Sequence, residues 1–417
     1  MIVTRYKKFD PFAILLALLV ALGPILQHYK AAFWDMGSDL YILLMPVVVI
    51  MLLSKKTLTV SSKILPLVFL GLWIGLSHGL SLNVFGRELL LILLYVAFDS
   101  EVIDIELVIR SAVVIAEAAA VLIFIQYICY YIGGFHLQLV PTSLLKSNAS
   151  QWILLAQTGR ISVTGSLMSF YRPSAFFLEP SHLAIFCIPL LIYLLTSHEV
   201  TKKDRLSAMI ISAGIVLSTS GIGIVSCIGI WCVYLLLYNS TRDRNSKSVL
   251  RKFFKPRNIV VIILIIVTVV LLFCTVPFFR KSIMRIFVSE AGGNNAMQAR
   301  NATGARIVKQ LSGKQLLLGV GLANKGNIAE WNVAGFYYMY YIYGIVGVVL
   351  SMWFYVSTIA KKIEISAWAS MFIIVLSFFS VHTYAVFYRF YLTMFAMAGY
   401  KKENADKSGR RLSLKLY

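Results

Sequence analysis

The run Tyr171-Arg172-Pro173-Ser174-Ala175-Phe176-Phe177-Leu178-Glu179-Pro180-Ser181-His182 gathers a guanidinium, a carboxylate and an imidazole in one short stretch. Such a set could grip an anion and move a proton. Glu179 and His182 are three residues apart, so a helix would bring them to one face, where hydrogen bonding or general acid–base work is open to them. As a zinc site the pair is poor, because no third or fourth ligand stands at ligand spacing. No metal and no cofactor are expected. Pro180 suits the first turn of a helix, where its missing N–H costs nothing, and Glu179 would sit beside the positive end of that helix dipole. A plain charged helix start explains those two residues but leaves Arg172 and His182 without a role.

A second group of charges is spread over residues 278–334, where Arg280, Lys281, Arg285, Arg300, Arg306, Lys309, Lys314 and Lys325 face only Glu290 and Glu330. Arginine offers a fork of donors that matches phosphate oxygens, so an anionic, phosphate-bearing partner is expected. Anionic lipid headgroups would satisfy the same charges, and the two readings are compatible. Aromatic residues crowd the same region: Trp331, Phe336, Tyr337, Tyr338, Tyr340, Tyr341 and Tyr343, with Trp152 earlier. An interfacial belt accounts for most of them, and sugar contact is the alternative for individual rings. Arg389 falls a few residues into the last apolar window, near the external side, with His382 just before it, and Glu117 lies deeper in its own; charge of this kind pairs or faces a wet cavity. Arg87 and Glu88 fit either a local ion pair or snorkelling.

The elements that must position these groups follow from composition. Of 417 residues, 59% are hydrophobic and 14% charged, too little polar surface to coat soluble domains. Apolar windows fall near residues 11–29, 39–53, 64–80, 83–99, 108–132, 180–197, 207–219, 221–238, 258–277, 335–359, 366–382 and 384–400. The expectation is a single all-α polytopic membrane domain, with about twelve spans and both termini cytoplasmic. Basic clusters support that orientation: Arg5/Lys7/Lys8, Lys55/Lys56/Lys63, Lys202/Lys203/Arg205, residues 242–257, Lys361/Lys362 and Lys401/Lys402 share one side. Much of the net charge of +21 therefore reports topology rather than nucleic-acid binding, and no nucleic-acid partner is expected. Glu101, Asp104 and Glu106, balanced by Arg110, form an acidic exception on the same side.

Two long external loops remain, 133–171 and 278–334, and residues 401–417 form a basic cytoplasmic tail. The window at 207–219 is short for a span and runs into Ser218-Thr219-Ser220-Gly221, which points to a broken or re-entrant hairpin beside a cavity. The first apolar stretch has no small-residue cleavage site and reads as an uncleaved span. Cys129, Cys187, Cys227, Cys232 and Cys274 all lie in apolar stretches, with neither metal spacing nor pairing in a loop. No internal repeat is evident.

The stretch from Arg172 to His182 resembles the Arg-Pro-Ser-x-Phe-Phe-Leu-Glu-Pro-Ser-His segment of Wzy-type polymerases of bacterial O-antigen, capsule and exopolysaccharide. Leu217-Ser218-Thr219-Ser220-Gly221 resembles that family's Thr/Ser-x-Ser element. Ala302-Thr303-Gly304-Ala305-Arg306 with Leu318-Gly319-Val320-Gly321-Leu322 resembles its loop arginine and Gly-Val-Gly pattern, and Asn332 with Gly344-Ile345-Val346-Gly347 resembles the start of the following span. The resemblance covers roughly residues 170–400. Related O-antigen ligases typically carry a histidine where this chain reads Ala329-Glu330-Trp331-Asn332-Val333, so polymerase is preferred and ligase is the alternative.

The resemblance implies a metal-independent glycosyltransferase in the bacterial cytoplasmic (inner) membrane that polymerises undecaprenyl-pyrophosphate-linked oligosaccharide repeat units on the periplasmic or extracellular side. Its partners would be that lipid-linked oligosaccharide, the lipid bilayer and a chain-length regulator. Glu179 and His182 are the candidate catalytic residues. Arg172, Arg306, Arg389 and Arg300 are the candidate pyrophosphate ligands, and Trp331, Asn332 and Tyr337 the candidate sugar contacts. A flippase of the same lipid is the alternative from another class; it should carry charge along a path to both faces, whereas here charge gathers toward the outer side.

Overall fold

The computed structural model describes residues 11–30, 36–55, 57–61, 64–77, 82–140, 171–196, 200–241, 296–321, 335–359 and 411–415, with isolated positions at 144 and between 260 and 284. Helices occupy the apolar windows that fall within these residues: α1 Pro11–Leu26, α2 Met36–Leu53, α3 Ile64–Ser77, α4 Leu82–Asp99, α5 Ile105–Tyr131, α6 Pro180–Thr196, α7 Lys202–Leu217 and α8 Gly221–Thr241. Later come α9 Ala296–Val308, α10 Lys314–Leu318 and α11 Gly335–Ile359. The windows at 366–382 and 384–400 lie outside the described residues.

By length and composition, Ile105–Tyr131 and Gly335–Phe354 suffice to cross a membrane, and five shorter apolar helices accompany them. α5 shows the pattern: Ile109, Ala112, Ala116, Ala119 and Ile123 are buried, while Val114, Val121, Phe124, Ile125 and Ile128 are exposed. A helix apolar on its outer face as well as its inner one is built for burial or for lipid.

Three features add to the sequence reading. The chain is mainly helical but not all-α: β1, Thr57–Ser61, pairs antiparallel with β2, Arg411–Lys415, in the register Thr57↔Lys415 to Ser61↔Arg411. β2 comes from the segment read as a basic tail. The segment 278–334, read as a loop, contains α9 and α10. The short window at 207–219 extends back to Lys202, because Thr201 and Asp204 form a capping box that starts α7 a turn and a half earlier than hydropathy indicates.

The chain divides into two compact units. In the unit comprising Met1–Ile115, Pro141–Gln151 and Arg300–Tyr417, α3 packs on α4 and on α11, and α1 packs on α2. Pro24 interrupts α1 and lacks the N–H that would serve the carbonyl of Val20. The Tyr41 hydroxyl on α2 donates to that carbonyl at 2.8 Å. The acidic exception is the start of α5: the Asp104 carboxylate accepts from the Glu106 N–H at 2.9 Å, and Arg110 bridges to Glu106 at 2.8 Å. Glu88 is 3% exposed and packs at Gly71 of α3, so it does not snorkel.

The break in α11 organises this unit. Gly344 stands at φ +65, and the carbonyls of Tyr341, Ile342 and Tyr343 lose their partners in the next turn. Donors from elsewhere replace them: the Val320 N–H at 2.9 Å, the Gly321 N–H at 3.0 Å and the Trp73 indole N–H at 3.0 Å. A side chain at Gly344 would run into the Leu317 carbonyl, and one at Gly319 into that of Ile342. The Gly-Val-Gly and Gly344 patterns thus form one interlocked joint.

In the second unit, Ala116–Val140 and Trp152–Ala299, α6 packs on both α7 and α8. Small residues permit the close approaches: Gly223 faces Ala184, and Gly214 faces Ala120. The Trp231 indole N–H donates to the Ser212 hydroxyl at 2.8 Å and ties α8 to α7.

Gly344→Ala is expected to destabilise the protein by more than the ~1–3 kcal/mol of a strained left-handed residue, since a backbone collision adds to it. Gly313→Ala isolates the strain, because φ there is +51 with nothing within 4 Å. Thermal midpoints in detergent should fall further for Gly344→Ala; equal midpoints would remove the joint described above.

Candidate functional site

The segment leading into α6 folds as a compact turn. Ser174 donates through its hydroxyl to the Phe177 carbonyl at 2.7 Å, and the Phe177 N–H returns to the Ser174 carbonyl at 2.9 Å. Phe176 and Phe177 stack at 5.1 Å, and Phe177 packs on Phe186 of α6. These apolar contacts anchor the turn to its helix. Glu179 then precedes Pro180, the first residue of α6, and its carbonyl accepts from the N–H groups of His182 and Leu183. The Glu179 carboxylate, half-buried, accepts from the Ser181 hydroxyl at 2.8 Å. Among the described residues it makes no ion pair with Arg172. His182 is 1% exposed, inside the packed unit rather than at its surface.

Arg172 sits where two sequence-distant patterns meet. Its Nε donates to the Thr219 hydroxyl at 3.4 Å, a long contact in the Ser218-Thr219-Ser220 break between α7 and α8. All three break residues are buried. The Thr219 hydroxyl donates to the Ser218 carbonyl at 2.7 Å. Ser220 accepts from the Gly223 N–H at 3.3 Å at the start of α8.

Two adjacent residues of α5, which the sequence reading passed over, hold both sides of this arrangement. Gln126 is 4% exposed; its Oε1 accepts from the Ala175 N–H at 2.9 Å and its Nε2 donates to the Leu137 carbonyl at 2.9 Å. Both ends of the amide are used. Tyr127 donates through its hydroxyl to the Leu217 carbonyl at 2.7 Å, which the break after α7 leaves without a helical partner. Ala175 and Thr219 both adopt positive φ, +52 and +57. Glu101 is the other non-glycine residue to do so among those described. Strain of this kind persists where the surroundings over-determine it, and such places cluster at functional sites.

Around Tyr171 the aromatics interlock. Tyr130 stacks on Tyr171 with centroids 4.5 Å apart, His136 packs against Tyr130 at 4.8 Å, and Tyr127 meets Tyr171 edge-on at 6.0 Å. Burial pushes the Tyr171 phenol up to about 12, with Cys129 and Tyr130 adding to the rise, so it stays a protonated donor at neutral pH. A pocket opens beside it, with Arg172, Tyr171, His136 and Gln138 among its walls.

The other unit carries Arg306 near the end of α9, with its side chain exposed. Gly304 lies against the Tyr337 ring, and Ile307 is buried among Tyr337, Tyr338 and Tyr341. Tyr337, a candidate sugar contact, therefore serves at least partly as the seat of α9. Arg300 lies on the same helix, its side chain outside the described residues; Trp331, Asn332, His382 and Arg389 lie outside them altogether. Among the described residues no group of three or more His, Cys, Asp or Glu side chains could hold a metal.

Gln126→Leu should strand the Ala175 N–H and the Leu137 carbonyl, and Tyr127→Phe the Leu217 carbonyl alone, at about 1–3 kcal/mol for each stranded group. Thermal unfolding in detergent orders the two variants. A Gln126→Leu protein as stable as the parent would refute the clamp.

No family model, curated protein or solved structure matches the chain.

Proposed function

We propose that the protein is a polysaccharide polymerase of the bacterial cytoplasmic membrane, spanning it about twelve times. It joins undecaprenyl-pyrophosphate-linked oligosaccharide repeat units on the outer side. The observation that carries this reading is the seat of Arg172 on the Ser218-Thr219-Ser220 break, next to the Glu179-headed helix. Two stretches that resemble the same polymerase family, far apart in sequence, are held together by dedicated contacts from Gln126 and Tyr127.

In the proposed reaction a hydroxyl oxygen of the acceptor sugar attacks the anomeric carbon of the donor. A new glycosidic bond forms as the carbon–oxygen bond to the diphosphate breaks, and undecaprenyl pyrophosphate departs. Arg172 offers positive charge to the departing diphosphate, in surroundings where preorganised donors act strongly. Glu179 takes the proton of the attacking hydroxyl. Its partly exposed carboxylate, engaged by the neutral Ser181 hydroxyl, suits that task better than the enclosed His182. Arg306, Arg300 and Arg389 are proposed as phosphate contacts on residue type, and Arg306 on its exposure as well. The exposed apolar faces of helices such as α5 support the membrane setting.

Arg172→Ala and Arg306→Ala should each leave the protein in the membrane while cells accumulate single repeat units on lipid. Normal long chains in both variants would remove the arginine assignment. Arg306→Lys should fail as well if forked contact with phosphate is required. Glu179→Gln should bind donor lipid yet lose at least about 10²-fold in turnover, the scale of general-base catalysis; undiminished turnover rejects the base role.

A further inference from the structure

α10 keeps none of its side chains inside the protein. Leu316, Leu317 and Leu318 are 40%, 56% and 46% exposed. Successive helical residues point about 100° apart, so three in a row sweep roughly 200° of the helix surface, and one of them would ordinarily turn inward. Here every residue from Ser312 to Leu318 is exposed. The helix is seated by its backbone instead. The Leu317 carbonyl lies against Gly344, and the residues that follow give their N–H groups to α11, Val320 to the Tyr341 carbonyl and Gly321 to that of Ile342. Contiguous apolar surface left open in this way marks contact with a partner or a membrane.

The surroundings of the leucines identify the chemistry they fit. Immediately after Gly344, α11 exposes Ile345, Val349 and Trp353 at a four-residue spacing, one face of the helix. α3, packed on α11, exposes Leu65, Phe69, Leu72 and Leu76, and Phe69 stacks on Trp353 at 5.9 Å. α3 ends at Ser77, whose carbonyl meets Gly321, so the end of α3, the break in α11 and α10 share one level. α10 thus stands at the rim of a continuous apolar surface. The chain that leads into it is cationic: residues 296–321 hold Arg300, Arg306, Lys309 and Lys314 and no acid, and Arg306, Lys309 and Lys314 are exposed. A protein partner for the leucines would need acids to meet those cations. A bilayer interface offers hydrocarbon and phosphate at adjacent depths.

We propose that α10 is an interfacial anchor: Leu316, Leu317 and Leu318 enter the acyl boundary of the outer leaflet, while Lys309 and Lys314 contact the phosphates of anionic phospholipids. The inference rests on the membrane setting proposed above and not on the glycosyl transfer. Its consequence is depth. The backbone of α10 is locked to Gly344, and α9 is seated on the rings just before that glycine. The anchor therefore holds the Gly344 joint, and with it the exposed Arg306, near the level of the lipid phosphates.

The test uses purified full-length protein, one copy per nanodisc of phosphatidylglycerol, so that neither a second copy nor another protein can shield the surface. Leu317→Cys and Ser312→Cys are made singly, both at exposed side chains, and reaction with a membrane-impermeant maleimide is followed on the peptide that carries each. The Leu317→Cys thiol should react at least about tenfold more slowly than the Ser312→Cys thiol, because a thiol in hydrocarbon does not ionise. Adding Lys309→Gln and Lys314→Gln should raise the Leu317→Cys rate at least about threefold in phosphatidylglycerol, and by less in phosphatidylcholine. Equal rates for the two thiols overturn the insertion of the leucines. A Leu317→Cys rate indifferent to both lysines in phosphatidylglycerol overturns the headgroup contact. Protein that stays in solution without detergent or lipid overturns the membrane setting and the anchor together, whereas normal long chains in the arginine variants remove the polymerase assignment and leave the anchor standing.

Discussion

A carbonyl that loses its helical partner in apolar surroundings is costly unless another donor replaces it, and among the described residues such a replacement is made at three places. Pro24 deprives Val20, and Tyr41 answers. The end of α7 deprives Leu217, and Tyr127 answers. The turn at Gly344 deprives Tyr341, Ile342 and Tyr343, and two backbone amides and the Trp73 indole answer. Each unsatisfied group would cost several kcal/mol in hydrocarbon, on the order of a large share of a protein's net stability. At these three places a second segment supplies the donors. The interruptions and their partners specify one another.

That requirement bears directly on the candidate chemistry. Arg172 rests on a broken helix hairpin whose open carbonyl Tyr127 satisfies, and its own turn, with a positive φ at Ala175, is held by Gln126. In the other unit, α9 with Arg306 is seated by Gly304 and Ile307 on the rings of α11, the helix that Gly344 interrupts. Arg172 is thus borne by an irregular part of its unit, while Arg306 is borne by a helix seated on an interrupted one.

The apolar windows made the helices legible, because a run of Leu, Ile and Val long enough to span hydrocarbon leaves little alternative. The break at Ser218-Thr219-Ser220 was legible too, from a short window ending in hydroxyl residues. Other features carried no hydropathy signal. α7 begins in charged residues, where a capping box decides the start and a hydropathy scan sees only a loop. β1 and β2 pair across most of the chain, and a five-residue strand of mixed polarity looks like any connecting segment. The Arg172–His182 stretch declared itself by residue type, but its supports did not. Gln126 and Tyr127 read as ordinary members of a long apolar helix, and only the fold reveals that one amide and one phenol serve two loops. The pocket walls His136 and Gln138 follow α5 directly, in a segment that sequence treated as the beginning of an undifferentiated loop.

Gln126 and Tyr127 are neighbours on one helix, and this has a mechanical meaning. A clamp whose jaws belonged to separate helices would open whenever those helices slid apart. Here a tilt or axial slide of α5 transports the Ala175 turn and the Leu217 end together, so the guanidinium travels with its rest. The arrangement keeps the local spacing nearly constant when the helix moves.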